Sequence, residues 1–310
     1  MLQDPTARIS PQAEIGHDVE IGPLCVIGPG ARIGAGSKLQ SHVVIKAGAV
    51  LGANNMLHDG AIIKSGTTIG DDNEIHETAV VGGEPPVAVK RPRWGRLEIG
   101  SGNIIRELVT IQVATDEDAV TRIGDNNFIM PSVQIGHDAR LGDHVTITTH
   151  SCVAGHAVLE DRATLGMGVL VHQHSRIGAY AMVGAGAYVS RDVPPFVMID
   201  GRSGCVVGLN LVGIKRNGFT RVQIAELKQA YRIIYRRGLP MKEVLATLDH
   251  ELESEPCHHL RDFLANPNSR GLTRERRKSD STSAVEEANT EAMADDAPSR
   301  LTVMQTCRAA

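Results

Sequence analysis

Aliphatic residues return at every sixth position over most of the chain. Counting from Ile9 gives Ile15, Ile21, Ile27, Ile33, Leu39, Ile45, Leu51, Leu57, Ile63, Ile69, Ile75 and Val81. The count resumes at Ile99, Ile105 and Ile111, and again at Ile123, from which it runs unbroken to Val189. The fifth residue of a unit is small or β-branched, or Asn at 55, 73, 103 and 127; the exception, Pro85, marks a break. The second residue is often glycine, as at Gly16, Gly22, Gly28, Gly136 and Gly178, which suits a chain that bends sharply between short straight segments.

A period of six with one large and one small apolar position fits neither an amphipathic helix nor a flat strand. It fits short strands wound about a common axis, the hexapeptide pattern of parallel β-helices, with three units per coil of about 18 residues. The pattern predicts a mainly β domain over 1–195, large aliphatics along the axis and small residues in the corners. Two excursions interrupt it, at 82–98 and 116–122. The longer one carries the only Trp and the cations Lys90, Arg91, Arg93 and Arg96, and a loop of that length on a repeat protein is usually functional.

Beyond Val189 the repeats stop at Pro194-Pro195, and an irregular segment leads to helices. Thr220 with Gln223 reads as a capping box. Leu227, Ala230, Tyr231 and Ile234 recur at helical spacing until Gly238. Pro240 opens a second helix with Val244, Leu245, Leu248 and Leu252 inward, and a third carries Leu260, Phe263 and Leu264. A small α-helical domain is expected over 196–274. The segment 275–310 is rich in Ser, Thr, Ala, Glu and Asp and is expected to be a disordered tail.

A net charge of −4 with 22% charged residues points to neither a nucleic-acid surface nor a membrane surface. Five scattered cysteines suggest neither a disulfide framework nor a metal cluster. No apolar run is long enough for a signal peptide or a membrane span, so a cytoplasmic protein is expected.

Between Ile123 and Val189 the count is uninterrupted, so residues 18 apart stack on adjacent coils, about 4.8 Å apart. His137, Gly155 and Gln173 share one column; Asp138, His156 and His174 share the next; His172 stacks above Ala154 and Gly136. Histidine serves as a general base near neutral pH, although one corner histidine taken alone is usually just exposed. His144, His150 and His156 are six apart and fall on three different faces, so they cannot share an ion within one chain. His172 and His174 could meet a neighbouring subunit's histidine, as in the γ-class carbonic anhydrases, but the ligand spacing differs and no metal is assigned.

The repeats, with Asp192-Val-Pro-Pro-Phe196, Gly208-Leu-Asn210, Gly213-Ile-Lys-Arg-Asn-Gly-Phe219 and Arg270-Gly-Leu-Thr-Arg274, resemble the acyl-ACP:UDP-N-acetylglucosamine O-acyltransferases of lipid A biosynthesis over about residues 1–274. The resemblance implies a left-handed parallel β-helix with a small helical C-terminal domain, assembled as a homotrimer with its sites in clefts between subunits. It implies transfer of a (3-hydroxy)acyl chain from acyl carrier protein to the 3-hydroxyl of UDP-N-acetylglucosamine, with no cofactor. By resemblance His137 is the catalytic base, Asp138 its partner acid and Gly155 the backbone oxyanion donor. Lys90, Gln134, His156, His172, Gln173, Asn210 and Arg216 match substrate positions, and Ala185 the acyl-length position.

The sequence departs from the family at Gln112 and Gln134 (commonly His), Ala88 (Asp), Val212 (Glu) and Asn217 (often Arg), which points to an altered sugar pocket. The alternatives are a related hexapeptide acyltransferase acting on another sugar or amine, and a non-catalytic repeat scaffold. The N-acyltransferase of the same pathway is disfavoured, because its uridine-binding domain precedes the repeats and residues 1–8 lead straight into the first unit.

Overall fold

The computed structural model describes residues 2–88, 93–266 and 269–276. Each six-residue unit forms a strand of two to four residues that ends on its large aliphatic, as in Met56–Leu57, Ile62–Ile63 and Thr67–Ile69, except before the two excursions, where Val80–Gly83 and Thr110–Gln112 run past it. Successive strands fall on three different sheets, called here first, second and third in that order, and within each sheet every coil pairs in parallel with the next. The result is a three-sided parallel β-helix. From Ile21 on, the large aliphatics are buried along its axis, while Ile9 and Ile15 at the open end are only partly covered.

The small fifth-position residues point inward at the corners, where little room is left. Asparagine is tolerated there because it stacks into a ladder. Asn55 Oδ1 accepts from the backbone and side-chain amides of Asn73 at 3.0 Å, and Asn73 Oδ1 does the same for Asn103 at 2.9 Å. Asn103 and Asn127 pass the pattern on to the backbones of Asn127 and Val145. Buried amides are kept because their acceptors are satisfied coil by coil.

Two expectations about the repeat need correction. The second-position glycines do not make the bend. The left-handed backbone falls two residues later, on Gly30 and Gly48 but also on Asp18, Leu24 and Asp138. Glycine at the second position answers to close approach: a Cβ at Gly16 would lie 2.6 Å from the Ala35 nitrogen of the next coil. The coil also starts before Ile9. Leu2–Gln3 pairs with Glu20–Ile21, and the count misses it because Gln3 occupies the aliphatic position.

The excursions are shorter than the spacing suggested. Val80–Gly83 and Arg96–Ile99 are strands, as is Val120–Ile123, so the chain leaves the coil only over 84–95 and 113–119. Both departures occur on the edge between the second and third sheets, and the ladder resumes in register beyond them, with Glu74 opposite Ile104 and Ile99 opposite Ile123.

The segment after Val189 is more regular than expected. Val197–Ile199 adds a further strand to the first sheet beside Met182–Val183, then turns back antiparallel with Val206–Leu209. The six-residue count fails here because the coil holding Pro194 and Pro195 is shortened, placing Ile199 rather than residue 201 opposite Val183. Helices follow: α1 Leu211–Arg216, α2 Arg221–Arg236, α3 Met241–Glu251 and α4 Glu255–Ala265. Thr220 and Gln223 form the expected capping box. Leu227, Ala230, Val244, Leu248, Leu260 and Leu264 pack into one cluster with Phe196.

Met1–Glu275 forms one compact unit. Much of its closure depends on Asp192, which is fully buried. Its carboxylate accepts from the Arg176 backbone and Nε, both at 3.0 Å, and from Ser269 Oγ at 2.9 Å. Its own backbone pairs with Gly271 and Thr273. The two phrases 192–196 and 270–274 are therefore halves of one clamp. From residue 277 on, the expected tail lies outside the described residues, as does Lys90.

Candidate active site

The predicted histidine columns form on the edge between the second and third sheets, the edge from which both excursions leave. Gln134–Ile135 ends one strand, Arg140–Leu141 begins the next, and His137 and Asp138 make the corner between them. Asp138, His156 and His174 all adopt the left-handed conformation, as do Gly30, Gly48 and Gly66 at the same place on earlier coils.

His137 Nδ1 lies 2.8 Å from Asp138 Oδ2. A carboxylate only accepts, so this nitrogen carries a proton, and in the neutral ring the lone pair lies on Nε2. Both side chains are nearly buried, at 14% and 10% exposure. The same Asp138 oxygen accepts from the Thr115 backbone at 3.2 Å and hydroxyl at 2.9 Å, while the Asp138 amide donates to Thr121 Oγ1 at 2.7 Å. Burial alone would raise the Asp138 pKa; the hydrogen bonds from His137 and Thr115 outweigh it and hold the carboxyl below its ordinary value. An ionised carboxylate thus faces the imidazole.

Gly155 lies directly under the His137 ring, where a Cβ would come 2.5 Å from Cε1 and 2.7 Å from Nε2. Among the described residues its backbone N–H donates no hydrogen bond, while its carbonyl accepts from His174 at 3.2 Å. His156 meets His137 edge to face at 5.2 Å and stacks on His174 at 4.5 Å. Burial, followed by the neighbouring His156 and Arg270, holds the His174 pKa below its ordinary value. His172 Nδ1 donates to the Gln173 carbonyl at 2.8 Å, and Gln173 is exposed beside it. Gln134 is exposed on the second sheet one residue before Ile135.

The arrangement has parts that suit acyl transfer: an imidazole oriented by a carboxylate, and a backbone N–H one coil away. Cations gather on the same edge. A cavity of about 470 Å³ under the longer excursion is lined by Lys46, Lys64, Glu84, Arg93 and Trp94. Another of about 320 Å³, at the C-terminal end of the stack, is lined by Tyr188, Arg191, Thr273 and Arg274.

The family described as "Udp N-acetylglucosamine O-acyltransferase; Domain 2" matches residues 192–289, and "Bacterial transferase hexapeptide (six repeats)" matches residues 121–155. A relative from Janthinobacterium sp. (strain Marseille), named acyl-[acyl-carrier-protein]--UDP-N-acetylglucosamine O-acyltransferase, is 43% identical over 185 residues, 57% of this chain and 70% of its own length. The chain belongs to the UDP-N-acetylglucosamine O-acyltransferase family. The solved family member from Moraxella catarrhalis is 36% identical with a TM-score of 0.75, covering 88% of this chain and 100% of its own. The Arabidopsis UDP-N-acetylglucosamine acyltransferase is 31% identical with a TM-score of 0.78 over the same shares.

Other residues that the resemblance assigned to one O-acyltransferase site lie elsewhere on this chain. Asn210 caps α1: its Oδ1 accepts from the Gly213 amide at 3.0 Å and its Nδ2 donates to the Tyr180 carbonyl at 2.9 Å. Arg216 is exposed at the far end of the same helix. Neighbouring Asn217 accepts from Arg162 at 3.0 Å, which puts this helix beside the edge between the third and first sheets. Ala185 is exposed on the remaining edge, between the first and second. One chain therefore does not bring Ala185, Asn210 and Arg216 to His137.

Among the departures from the family, Val212 is 61% exposed on α1 and Ala88 is exposed in the excursion. Gln112 is different. Its Oε1 accepts from the His137 amide at 3.1 Å, so it braces the His137 corner. Sequence reasoning missed this role and missed Thr115 and Thr121. Gln112 and Thr121 flank the shorter excursion and Thr115 lies within it, where the count that would have placed them is interrupted.

Proposed function

We propose that the chain transfers an acyl group from acyl carrier protein to the 3-hydroxyl of UDP-N-acetylglucosamine, the first step of lipid A biosynthesis, with His137 as general base. The observation that carries this reading is the His137–Asp138 pair set directly over Gly155. The sugar hydroxyl gives its proton to Nε2 while its oxygen attacks the thioester carbonyl. Asp138 stabilises the imidazolium that forms, and the Gly155 N–H receives the negative charge developing on the carbonyl oxygen. Collapse of the tetrahedral intermediate expels the thiolate of the carrier, which takes the proton back from His137. The steps use no cofactor.

A homotrimer with sites between subunits is part of the proposal. It is supported by the scatter of the substrate-matching residues over three edges of one chain. The outward faces also differ. The second sheet shows Val26, Leu170 and Tyr188, and the first shows Ile104 and Met198. The third shows charges, with ion pairs Arg32–Glu14 and Arg122–Glu98. The first face also carries the pair Lys38–Glu20 near its N-terminal end, so its apolar part lies further along the coil; that part and the second face suit a ring in which each subunit is covered on two sides. Action in the cytoplasm is part of the same proposal; among the described residues no helix is long and apolar enough to cross a membrane.

The test is an assay of the purified protein with a panel of acyl carrier protein thioesters and UDP-sugars. The expected result is transfer to UDP-N-acetylglucosamine, reduced strongly in His137→Ala. Transfer to another acceptor in preference, or none at all, would overturn the assignment.

A further inference from the structure

The edge between the first and second sheets carries a group of side chains that the proposed reaction does not use. His58 and His76 each follow the buried aliphatic of a strand, Leu57 and Ile75, and lie one coil apart in the same column. Their rings stack at 4.4 Å with planes 14° apart. Glu74 opens the strand Glu74–Ile75 and stands outward beside them. Its Oε1 lies 2.9 Å from His58 Nε2 and 3.3 Å from His76 Nε2. The histidines are only 17% and 14% exposed, whereas Glu74 is open at 43%.

We propose that His58, Glu74 and His76 bind a divalent metal ion of the zinc type, clipping two adjacent coils together. The three ligand atoms all lie within 4.8 Å of one another. Zinc bonds of about 2.0–2.1 Å in a tetrahedron place neighbouring ligand atoms about 3.3 Å apart, close to the two separations here. Seating the ion requires the two stacked rings to tilt so that their Nε2 lone pairs converge on it beside Glu74. Two imidazoles and one carboxylate suit zinc, cobalt or nickel better than magnesium or calcium, which prefer all-oxygen sites. The exposed side leaves a fourth position for water.

The surroundings favour a cation. Glu77 Oε2 lies 3.6 Å from His76 Nδ1, where a carboxylate can orient a ligating imidazole with its ligand nitrogen toward the metal. Arg106, the nearest positive group in the next coil, is held by Glu107 through two hydrogen bonds at 3.1 and 2.7 Å, and the Arg106 hydrogen bond keeps the Glu107 carboxyl down at about 2. That pairing also removes Glu107 as a ligand, so the alternative trio His76, Glu77 and Glu107 is the poorer site. The trio His137, Asp138 and His156 is poorer as well, because Asp138 Oδ2 already accepts from His137 and twice from Thr115.

The experiment uses the full chain, free of any histidine tag, stripped with a chelator and titrated with zinc chloride by calorimetry. Bound metal is counted by mass spectrometry. The expected result is one zinc per chain, kept in the His137→Ala/His156→Ala variant and lost in His76→Gln and in Glu74→Gln. No binding by the wild type at micromolar zinc, or the same stoichiometry in His76→Gln, would overturn the proposal. If the variants do not fold, X-ray absorption at the zinc edge on the His137→Ala/His156→Ala protein replaces them. Two imidazole ligands support the site, and a shell without imidazole refutes it.

Discussion

The ring of His137 rests on Gly155 with no space for a methyl group, since a Cβ at residue 155 would meet Cε1 at 2.5 Å. Asp138 holds the ring from one side, so it cannot simply swing away. Gly155→Ala should displace the imidazole and lower turnover by about 10², the scale expected for an ångström of misplacement. Steady-state kinetics with an unchanged melting temperature would agree; full activity would mean that the ring is not held where it acts.

His137→Ala removes the proposed base. Turnover should fall by about 10²–10⁴, and gel filtration should show the same assembly as the wild type. Near-normal turnover would refute the mechanism.

Gln112 separates two readings of one residue. If it braces the His137 amide, Gln112→Leu loses a hydrogen bond of about 1 kcal/mol and should lower kcat several-fold with little change in the KM for UDP-N-acetylglucosamine. A raised KM at constant kcat would return Gln112 to the sugar pocket.

Asp192→Ala leaves Arg176, largely covered at 13% exposure, without its carboxylate and opens the link from Ser269 to the coil. Breaking a buried pair from one side costs about 3–5 kcal/mol, so the urea midpoint should fall clearly. A loss within about 0.5 kcal/mol, the range of ordinary surface substitutions, would show that the clamp is not structural.

His259 on α4 contacts Glu160 of the coil at 2.8 Å. The Glu160 hydrogen bond, opposed by burial and helped by Glu255 and Asp161, raises the imidazole above its ordinary 6.5. A raised folded pKa contributes stability that is complete below pH 6.5 and is lost as pH rises through the folded value. The melting-temperature gap between wild type and His259→Gln should be wider at pH 6 than at pH 8.5. Equal gaps would show that the pair is not charged.

The sequence by itself determined the coil, because one large inward residue and one small corner residue per six is a local rule that each turn repeats. It also determined the stacking of His137 with Gly155 and of Asp138 with His156, since no excursion intervenes between Ile123 and Val189. The same count places Ala185 on a different edge from His137, and places His58 over His76. Tertiary structure decided what the count cannot cross. The shorter excursion resets the numbering between Gln112 and His137, so only the paired strands brought Gln112, Thr115 and Thr121 to the His137 corner. Asn210 became a helix cap because Gly213 and Tyr180 take up its amide. The clamp of Arg176, Asp192 and Ser269 joins residues far apart in the chain, and such contacts form only when the helices fold back on the coil, where a buried carboxylate must find donors wherever the packing offers them.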